Sequence, residues 1–452
     1  MINVKPKVSQ ETVDTFRNLL DAEKKEEFRS GFLKLHKNDQ FNIIRRLGTK
    51  ARTEMTGILS PEEFAMIFKW FDRDEQLELF DEMDKAYGIR MLERMSTDNV
   101  RHFMEPLKAS VQKELLDGLS AEKAAHIHEL LTYKKGSAGS IMRKEFISGF
   151  PDDTASAMIE KLKSDTTTYE AVHYIYIADE YQKFIGLVSL RDLLMAEDEN
   201  LLSSICDTGI RTVMPDMDQE HVARIMQDYD VVDIPVVSVD RELVGSITID
   251  DIIDVIEFEM TEDVGELSAS RGTTDVSVSP LTAAKKRAPW ILILMFLGLI
   301  TANVIGAFEE TLEAVVLLSF FIPLVMDAAG NTGTQSLAVM VRTISTGAYE
   351  KNGIWHTMKR ELGTGILMGI VSGVTIALLI SVFYQDMRIG LIVGSALLLT
   401  LSVSTVVGSI VPVMISKLNI DPAVASGPFI TTLNDVIGLL IYFTIATAML
   451  QI

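Results

Sequence analysis

The pattern of hydrophobic and polar residues changes along the chain and predicts regions of different architecture. From residue 10 to about 133, short apolar patches alternate with polar breaks, roughly one patch for each short helix. The recurring apolar positions are Leu47, Leu59, Phe71, Phe80, Leu92, Met104, Leu116 and Leu130. Ser60-Pro61-Glu62-Glu63 has a capping serine, a first-turn proline and a glutamate three residues after the cap. We therefore expect short amphipathic helices stacked into a superhelix, as in solenoids.

An internal repeat follows this helical region. Residues 175–194 align without gaps on residues 234–253, and each copy alternates as strand, polar turn, strand and helix. A further helix is expected ahead of each copy, over 153–163 and 217–227. The matched polar and glycine positions are Gly186 with Gly245, Ser189 with Thr248, and Asp192 with Asp251.

The repeat resembles a pair of CBS domains, which dock face to face and often bind adenosine nucleotides in the cleft between them. In that family the Ser/Thr-x-x-Asp segment after the second strand holds ribose. The resemblance carries this role to Ser189, Arg191 and Asp192, and Tyr174 is placed to stack on a base. Many CBS pairs bind no nucleotide, so an adenine nucleotide site and a plain cleft both stay open.

An acidic amphipathic helix is expected over residues 250–266. Its acidic residues are Asp250, Asp251, Asp254, Glu257, Glu259, Glu262, Asp263 and Glu266. Several are one helical turn apart, so their charges repel unless a cation bridges them. A solvated linker helix is the alternative. The Ser-, Thr- and Gly-rich stretch from Ser268 to Ala284 is interpreted as a hinge.

Long apolar segments then predict five membrane spans, because about 20 apolar residues cross a bilayer. They are Pro289–Phe308, Leu312–Val341, Gly363–Tyr384, Ile389–Ser416 and Ala423–Ile452. Pro323 and Gly330 are expected to loosen the backbone of the second span. Basic residues precede the first span and lie in the loops after the second and fourth spans, whereas acidic residues follow the first. We expect a cytoplasmic N-terminus and an extracytoplasmic C-terminus.

The charge of the chain is concentrated in its first part. The net charge is −21, yet from Ala284 onward there are nine basic and nine acidic residues. The acidic excess therefore precedes the spans and argues against nucleic acid as a partner. The single cysteine, Cys206, excludes an intrachain disulfide and is typical of a reducing cytosol. The first residues lack a signal-peptide core, so we expect no cleaved leader.

The fifth span carries the candidate chemistry. Asp435 lies well inside it, where a carboxylate is costly unless it faces protein or water. Helical spacing places Pro428, Thr431, Asp435 and Tyr442 on one face, and Pro428 is expected to free a backbone carbonyl. Oxygen ligands of this kind suit hard cations such as Mg²⁺. The alternative is a buried aspartate that a neighbouring helix satisfies.

The second span adds a polar stripe. Asp327, Asn331 and Gln335 are spaced by four and would share one helix face. Together with Asp435, such a stripe favours a cation path. Five helices are few to enclose a pore, so a twofold dimer axis is attractive. Enzyme activity is not expected, because no paired nucleophile and base are evident and the histidines lack metal-ligand spacing.

Two membrane segments resemble the signatures of the MgtE family of magnesium channels and transporters. They are Pro323…Gly330-Asn331-Thr332-Gly333-x-Gln335 and Asp421-Pro422…Pro428-x-x-Thr431-Thr432-x-x-Asp435. Leu130-Leu-Thr-Tyr…Ser137-Ala-Gly also matches, as does the order of the regions. The predicted fold class is thus a multidomain α and α/β membrane protein. Its expected parts are a cytosolic helical superhelix (1–136), a tandem CBS pair (137–200 and 201–257), a connecting helix and hinge (258–284) and five transmembrane helices (285–452).

The resemblance also implies a working model. The family is a homodimer in the plasma membrane whose second and fifth spans line a Mg²⁺ pore. By motif position Asp435 would hold the hydrated ion, with oxygens near Thr431, Asp327 and Asn331 completing the ring. Many members have a Gly-rich run where this chain has Asp327-Ala328-Ala329.

Cytosolic Mg²⁺ bound to the acidic region is expected to close the pore. The matching positions are Asp98, Asp218, Glu220, Asp230, Asp251, Asp254, Glu259 and Glu262 in the helical, CBS and connecting regions, with Asp421 at the pore mouth. The predicted function is therefore a Mg²⁺-gated Mg²⁺ channel or transporter, with Mg²⁺ and ATP as candidate ligands. The alternative is a membrane-anchored nucleotide sensor without transport, which has no use for Asp435 and the polar stripe.

Overall fold

A computed structural model describes residues 8–164, 172–270, 272, 278–347, 353–418 and 420–451. The chain divides into two compact units, Met1–Val255 and Ile256–Ile452. Each unit is described by itself.

The first unit begins with a series of short helices, as the apolar spacing predicts. They are Gln10–Asp21, Lys25–Phe32, Lys37–Arg46, Thr49–Thr56, Pro61–Phe68, Arg73–Glu82, Lys85–Arg94, Thr97–Met104, Ala109–Leu116 and Ala121–Thr132. The predicted capping box is confirmed: the Ser60 side chain accepts from the Glu63 amide, and the Glu63 carboxylate accepts from the Ser60 amide. Phenylalanine side chains dominate the core, including the stacked pair Phe28 and Phe32.

The two repeat copies fold alike. Their helices are Ala138–Ile141, Ala155–Ser164, Leu190–Met195, Leu202–Ile205 and Gln219–Asp228, and their strands are β1 (Ser148–Gly149), β2 (Tyr174–Ala178), β3 (Phe184–Ser189), β4 (Asp233–Val237) and β5 (Leu243–Thr248). β2 pairs antiparallel with β3 and β4 with β5, in registers that start at Tyr174↔Ser189 and Asp233↔Thr248. Both hairpins have an irregularity at the same place, so the repeat is confirmed down to its register. β1 pairs parallel with β2 and precedes the helix Ala155–Ser164.

The acidic helix spans Ile249–Leu267, close to its predicted bounds. Residues 271 and 273–277 of the predicted hinge lie outside the described residues. The predicted end of the hinge at Ala284 is wrong, because a helix begins at Pro280 with Ser279 as its N-cap. That helix runs through Pro289, where the first span was predicted to start.

Within the described residues, five helices are long and apolar enough to cross a membrane, which confirms the five-span prediction. The membrane helices are Pro280–Ala307, Ile322–Ser345, Ile354–Phe383, Met387–Ser416 and Gly427–Leu450, here called the first to fifth spans. A short helix Glu309–Ala314 and a 3-10 segment Val316–Phe321 precede the second span, and a 3-10 turn Pro422–Val424 precedes the fifth.

Two predictions about prolines are wrong. Pro323 lies in the first turn of the continuous second span, and Pro428 lies in the first turn of the fifth. A first-turn N–H has no intrahelical acceptor, so proline there neither loosens the helix nor frees a carbonyl. The break in the second span lies before Ile322, in the 3-10 segment.

Glycines let the spans approach closely around the second span. A Cβ on Gly330 would lie 2.6 Å from Thr431 Cγ2, and one on Gly408 would lie 2.2 Å from the Gly333 carbonyl oxygen. Small residues at such contacts allow helix backbones to pack directly in membranes. The second span consequently packs closely against both the fourth and the fifth spans.

Candidate functional site

The candidate ion pathway is built on the second and fifth spans. Asp435 is half-buried on the fifth span, and Thr431 lies one turn before it. Asn434, adjacent to Asp435, is fully buried and packs against the second span where Gly333 has no side chain. The contacts at Gly330 and Gly333 thus hold the Thr431–Asp435 turn against the second span.

The predicted polar stripe is present on the second span. Asp327, Asn331 and Gln335 are all exposed in the single chain, and the Asn331 amide donates to Asp327 Oδ1 at 3.0 Å. Asp327 is the charged neighbour that acts electrostatically on Asp435. The structure therefore brings Asp327, Asn331, Thr431 and Asp435 to one pair of packed helices, where carboxylate, amide and hydroxyl oxygens suit a hydrated hard cation.

Tyr442 does not belong to this set. Its side chain is fully buried, and its hydroxyl donates to the Leu318 carbonyl at 2.8 Å. That carbonyl belongs to the 3-10 segment before the second span, where backbone acceptors lack helical partners. Tyr442 lies seven positions after Asp435 on the same helix, as predicted, but its hydroxyl is committed to this backbone hydrogen bond.

In the first unit, two of the predicted regulatory carboxylates lie on either side of Arg143. Its Nη2 is 2.5 Å from Asp251 Oδ1, and its Nε is 3.7 Å from Asp98 Oδ2. Burial raises the pKa of Asp98 to about 7, with Asp251 adding to the effect and Arg143 opposing it. The positive charge of Arg143 therefore partly offsets the predicted repulsion between these two carboxylates.

The remaining acidic positions are more dispersed. Asp218 caps the helix Gln219–Asp228 through the amides of Glu220 and His221, and Asp230 has a left-handed backbone with φ 52°. The exposed ones are Asp218, Asp230, Asp254, Glu262 and Asp421, and the half-buried ones are Glu220 and Glu259. Among the described residues, no three His, Cys, Asp or Glu side chains group closely enough to hold a metal.

In the second unit, Asp263 of the acidic helix interacts electrostatically with Asp421, which precedes the fifth span. Burial raises the pKa of Asp263 to about 6; Asp421 and Glu262 raise it further, whereas Arg342 lowers it. Asp421 itself accepts from the Ala423 amide at 2.8 Å and so caps the turn before the fifth span. The sequence pattern did not distinguish Asp263 from its acidic neighbours.

Three of the four predicted nucleotide residues line one cleft of about 530 Å³. Tyr174, Ser189 and Arg191 line it, together with apolar side chains such as Leu194 and Met195. Asp192 lies beside Ser189: the Ser189 hydroxyl donates to Asp192 Oδ2 at 2.6 Å, and the Asp192 amide donates to Ser189 Oγ at 3.0 Å. The Ser-x-x-Asp segment is therefore also the cap of the helix Leu190–Met195.

Comparison with known proteins identifies the family. A model described as divalent cation transporter, MgtE, matches residues 322–445; the MgtE intracellular N domain matches 35–136, and CBS domains match 138–199 and 202–257. The magnesium transporter MgtE of Enterococcus faecalis is 37% identical over 447 residues, which cover 98% of each chain. The chain belongs to the MgtE family.

Further MgtE relatives agree over nearly the whole length. The magnesium transporter MgtE of Bacillus subtilis is 35% identical over 433 residues, covering 96% of each chain. That of Thermus thermophilus is 30% identical over 428 residues, covering 92% of this chain and 94% of its own. The family predicted from the two membrane motifs is confirmed.

Two solved structures resemble the part of this MgtE-family chain that precedes the spans. The soluble part of a magnesium transporter is 34% identical, with a TM-score of 0.53 over 55% of this chain and 98% of that one. The cytosolic domain of the Mg²⁺ channel MgtE in complex with ATP is 26% identical, with a TM-score of 0.51 over 54% of this chain and 99% of that one.

Proposed function

We propose that this chain is a Mg²⁺-selective channel or transporter of the bacterial plasma membrane and has no catalytic activity. The observation that carries the proposal is the half-buried Asp435, held by tight helix packing beside the Asp327–Asn331 pair. A carboxylate inside a membrane span is costly, and it is retained where it serves an ion path. The relatives named as magnesium transporters supply the ion.

The test is Mg²⁺ entry into liposomes that contain the purified protein and a trapped Mg²⁺-sensitive dye. We expect entry down a Mg²⁺ gradient that protein-free liposomes do not show. No entry, with nucleotide binding intact, would instead support the membrane-anchored nucleotide sensor.

The pore is proposed to form at the twofold axis of a homodimer. In the single chain Asp327, Asn331 and Gln335 are exposed, so this polar stripe needs water or a second copy beside it. Two copies of Asp435 around one path would double the charge available to a hydrated ion. The N-terminus is proposed to be cytoplasmic and the C-terminus extracytoplasmic, from the distribution of basic residues.

Closure by cytosolic Mg²⁺ is proposed to use the acidic residues of the cytosolic region and the pore mouth. They are Asp98, Asp218, Glu220, Asp230, Asp251, Asp254, Glu259, Glu262 and Asp421. Like charges about 6 Å apart repel by roughly 3 kcal/mol at an effective dielectric near 20, and a bridging divalent ion removes that repulsion. Mg²⁺ would thus favour the compact, closed state.

ATP or a related adenine nucleotide is proposed to bind the cleft beside Tyr174, Ser189, Arg191 and Asp192. The cleft offers an aromatic ring to the base and a guanidinium to the phosphates. Asp192, hydrogen-bonded to the lining residue Ser189, would reach the ribose from beside the cleft. The similar cytosolic domain solved with ATP supports this ligand.

A further inference from the structure

Arg143 is a buried cation between two domains of the first unit. Asp98 belongs to the N-terminal helices, whereas Asp251 lies in the first turn of the helix Ile249–Leu267, within the second repeat copy. The side chains of Arg143, Asp98 and Asp251 are 10%, 11% and 13% exposed. Arg143 therefore supplies positive charge at a place where two carboxylates would otherwise face each other in a poorly solvated contact.

The residues after Arg143 join the same two domains. Lys144 Nζ lies 2.7 Å from Glu129 Oε1. The Glu145 carboxylate accepts from the Thr97 amide at 3.1 Å and from the Thr97 hydroxyl at 2.8 Å. Three consecutive side chains thus join the N-terminal helices to the CBS pair.

Arg143 compensates its two carboxylates unequally. Asp251 receives Arg143 at 2.5 Å and also the Thr248 hydroxyl at 2.6 Å. Asp98 is 3.7 Å from the guanidinium, and its Oδ1 is buried with no hydrogen-bond partner among the described residues. Asp98 Oδ1 is thus a buried acceptor that no donor among the described residues satisfies. A cation that coordinated both carboxylates would satisfy it.

The internal repeat shows that the fold does not require an arginine here. The Arg143 backbone pairs with Ser246 on β5, and the position of β3 equivalent to Ser246 is Leu187, which pairs with Asp207. The first copy therefore folds with an aspartate where the second has Arg143. Asp192, the counterpart of Asp251, is exposed. Of the two copies, it is the second, which contains Asp251, that has a guanidinium at this position.

We propose that Arg143 is the resident counter-ion of the Asp98–Asp251 contact and that Mg²⁺ must displace its guanidinium to bridge the two carboxylates. This rests on the proposed Mg²⁺ sensing by these residues. A divalent ion and a guanidinium repel each other in one buried site, so the two compete. Arg143 then sets the Mg²⁺ concentration at which the contact responds.

The test is thermolysin digestion of the full-length protein in detergent across a Mg²⁺ titration. We expect Arg143→Gln to be digested faster than wild type without Mg²⁺ and to be protected at a midpoint lower by roughly tenfold, since the competing charge is gone. Arg143→Lys should fall between the two, because a point charge lacks the guanidinium fork. Arg52→Gln is the matched control: Arg52 lies 3.6 Å from both Glu78 and Glu82 within the N-terminal helices, and its midpoint should equal that of wild type.

An unchanged or raised midpoint in Arg143→Gln overturns the proposal, provided that Asp251→Asn loses the Mg²⁺ response. If Asp251→Asn and Asp98→Asn both titrate like wild type, the sensing role itself is wrong. Should Arg143→Gln fail to fold, the midpoint of Arg143→Lys decides: a decrease of about twofold supports competition, and no decrease contradicts it.

Discussion

Gly408 shows how closely the fourth span packs against the second span. A Cβ at this position would lie 2.2 Å from the Gly333 carbonyl oxygen and 3.1 Å from Ser336 Cβ. The obstacle is backbone, so Gly408→Ala must push the second span away from the fourth. We expect a loss of about 1–3 kcal/mol in stability, as overpacking costs elsewhere, with reduced Mg²⁺ flux.

Thermal unfolding in detergent and liposome flux would measure both effects. Gly298→Ala is the control, because a Cβ on Gly298 meets nothing within 4 Å. Equal melting temperatures for the two variants would show that the Gly408 contact does not constrain the helices.

Asp233 makes the first unit sensitive to pH. It is 8% exposed and accepts from the Tyr176 hydroxyl at 2.6 Å. Burial raises the pKa of Asp233 to about 7; Tyr176 and Arg143 oppose this rise, and Asp251 adds to it. The folded state keeps a proton that the unfolded state releases near pH 4, so the contribution of Asp233 to stability falls as pH rises from about 4 to 7.

Asp233→Asn should remove this part of the pH dependence. Melting of the full-length protein in EDTA from pH 5 to 8 would then show a smaller decline than in wild type. Tyr176→Phe should extend the decline to higher pH, because it removes a hydrogen bond that lowers the pKa of Asp233. Parallel curves for wild type and Asp233→Asn would contradict the assignment.

Spacing along one helix predicts which residues share a face, and this placed Asp327 beside Asn331. It does not predict partners far apart in sequence. Arg143 and Asp251 are separated by 108 positions, and Arg143 has no local pattern that marks it. Asn434 could have been noticed as a second polar residue beside Asp435 within an apolar run.

At the scale of elements, local signals were reliable where they fix a backbone hydrogen bond. The Ser60 capping box formed as predicted, whereas the prolines were misplaced because the starts of the spans were unknown. In the third span, Gly365, Gly369 and Gly373 are spaced by four residues. This spacing predicts close packing against a neighbouring helix. A Cβ at each would meet fourth-span atoms within 3.0 Å.

The helix that follows β3 tests the nucleotide proposal. Asp192→Ala should weaken ATP binding to the full-length protein by at least roughly tenfold in calorimetry, because the ribose loses a charged acceptor. The same change also removes a cap interaction, worth about 1 kcal/mol. Thr154→Ala is the matched control: Thr154 accepts from the Ala157 amide in the same domain. Neither Thr154 nor Asp192 lines the cleft, whereas Asp192 is hydrogen-bonded to Ser189, which does. Equal affinity in both variants would refute the assigned site.

At the scale of the whole molecule, apolar length and internal repetition predicted the five spans and the paired hairpins. The bounds of the two-residue β1 could not be predicted, because so short a strand has no periodicity. The regulatory ligands were taken from family resemblance, since ligands from different regions of a chain share no spacing that a sequence would reveal.

Mg²⁺ flux through Asp435→Asn in liposomes tests the central claim most directly. The substitution keeps the shape of the side chain and removes its negative charge. We propose that this charge is the main source of cation selectivity. Glu310→Gln, at an exposed position after the first span, is the matched control. We predict that Asp435→Asn stays folded and loses nearly all Mg²⁺ flux while Glu310→Gln conducts like wild type. Near-normal flux through folded Asp435→Asn would contradict the account.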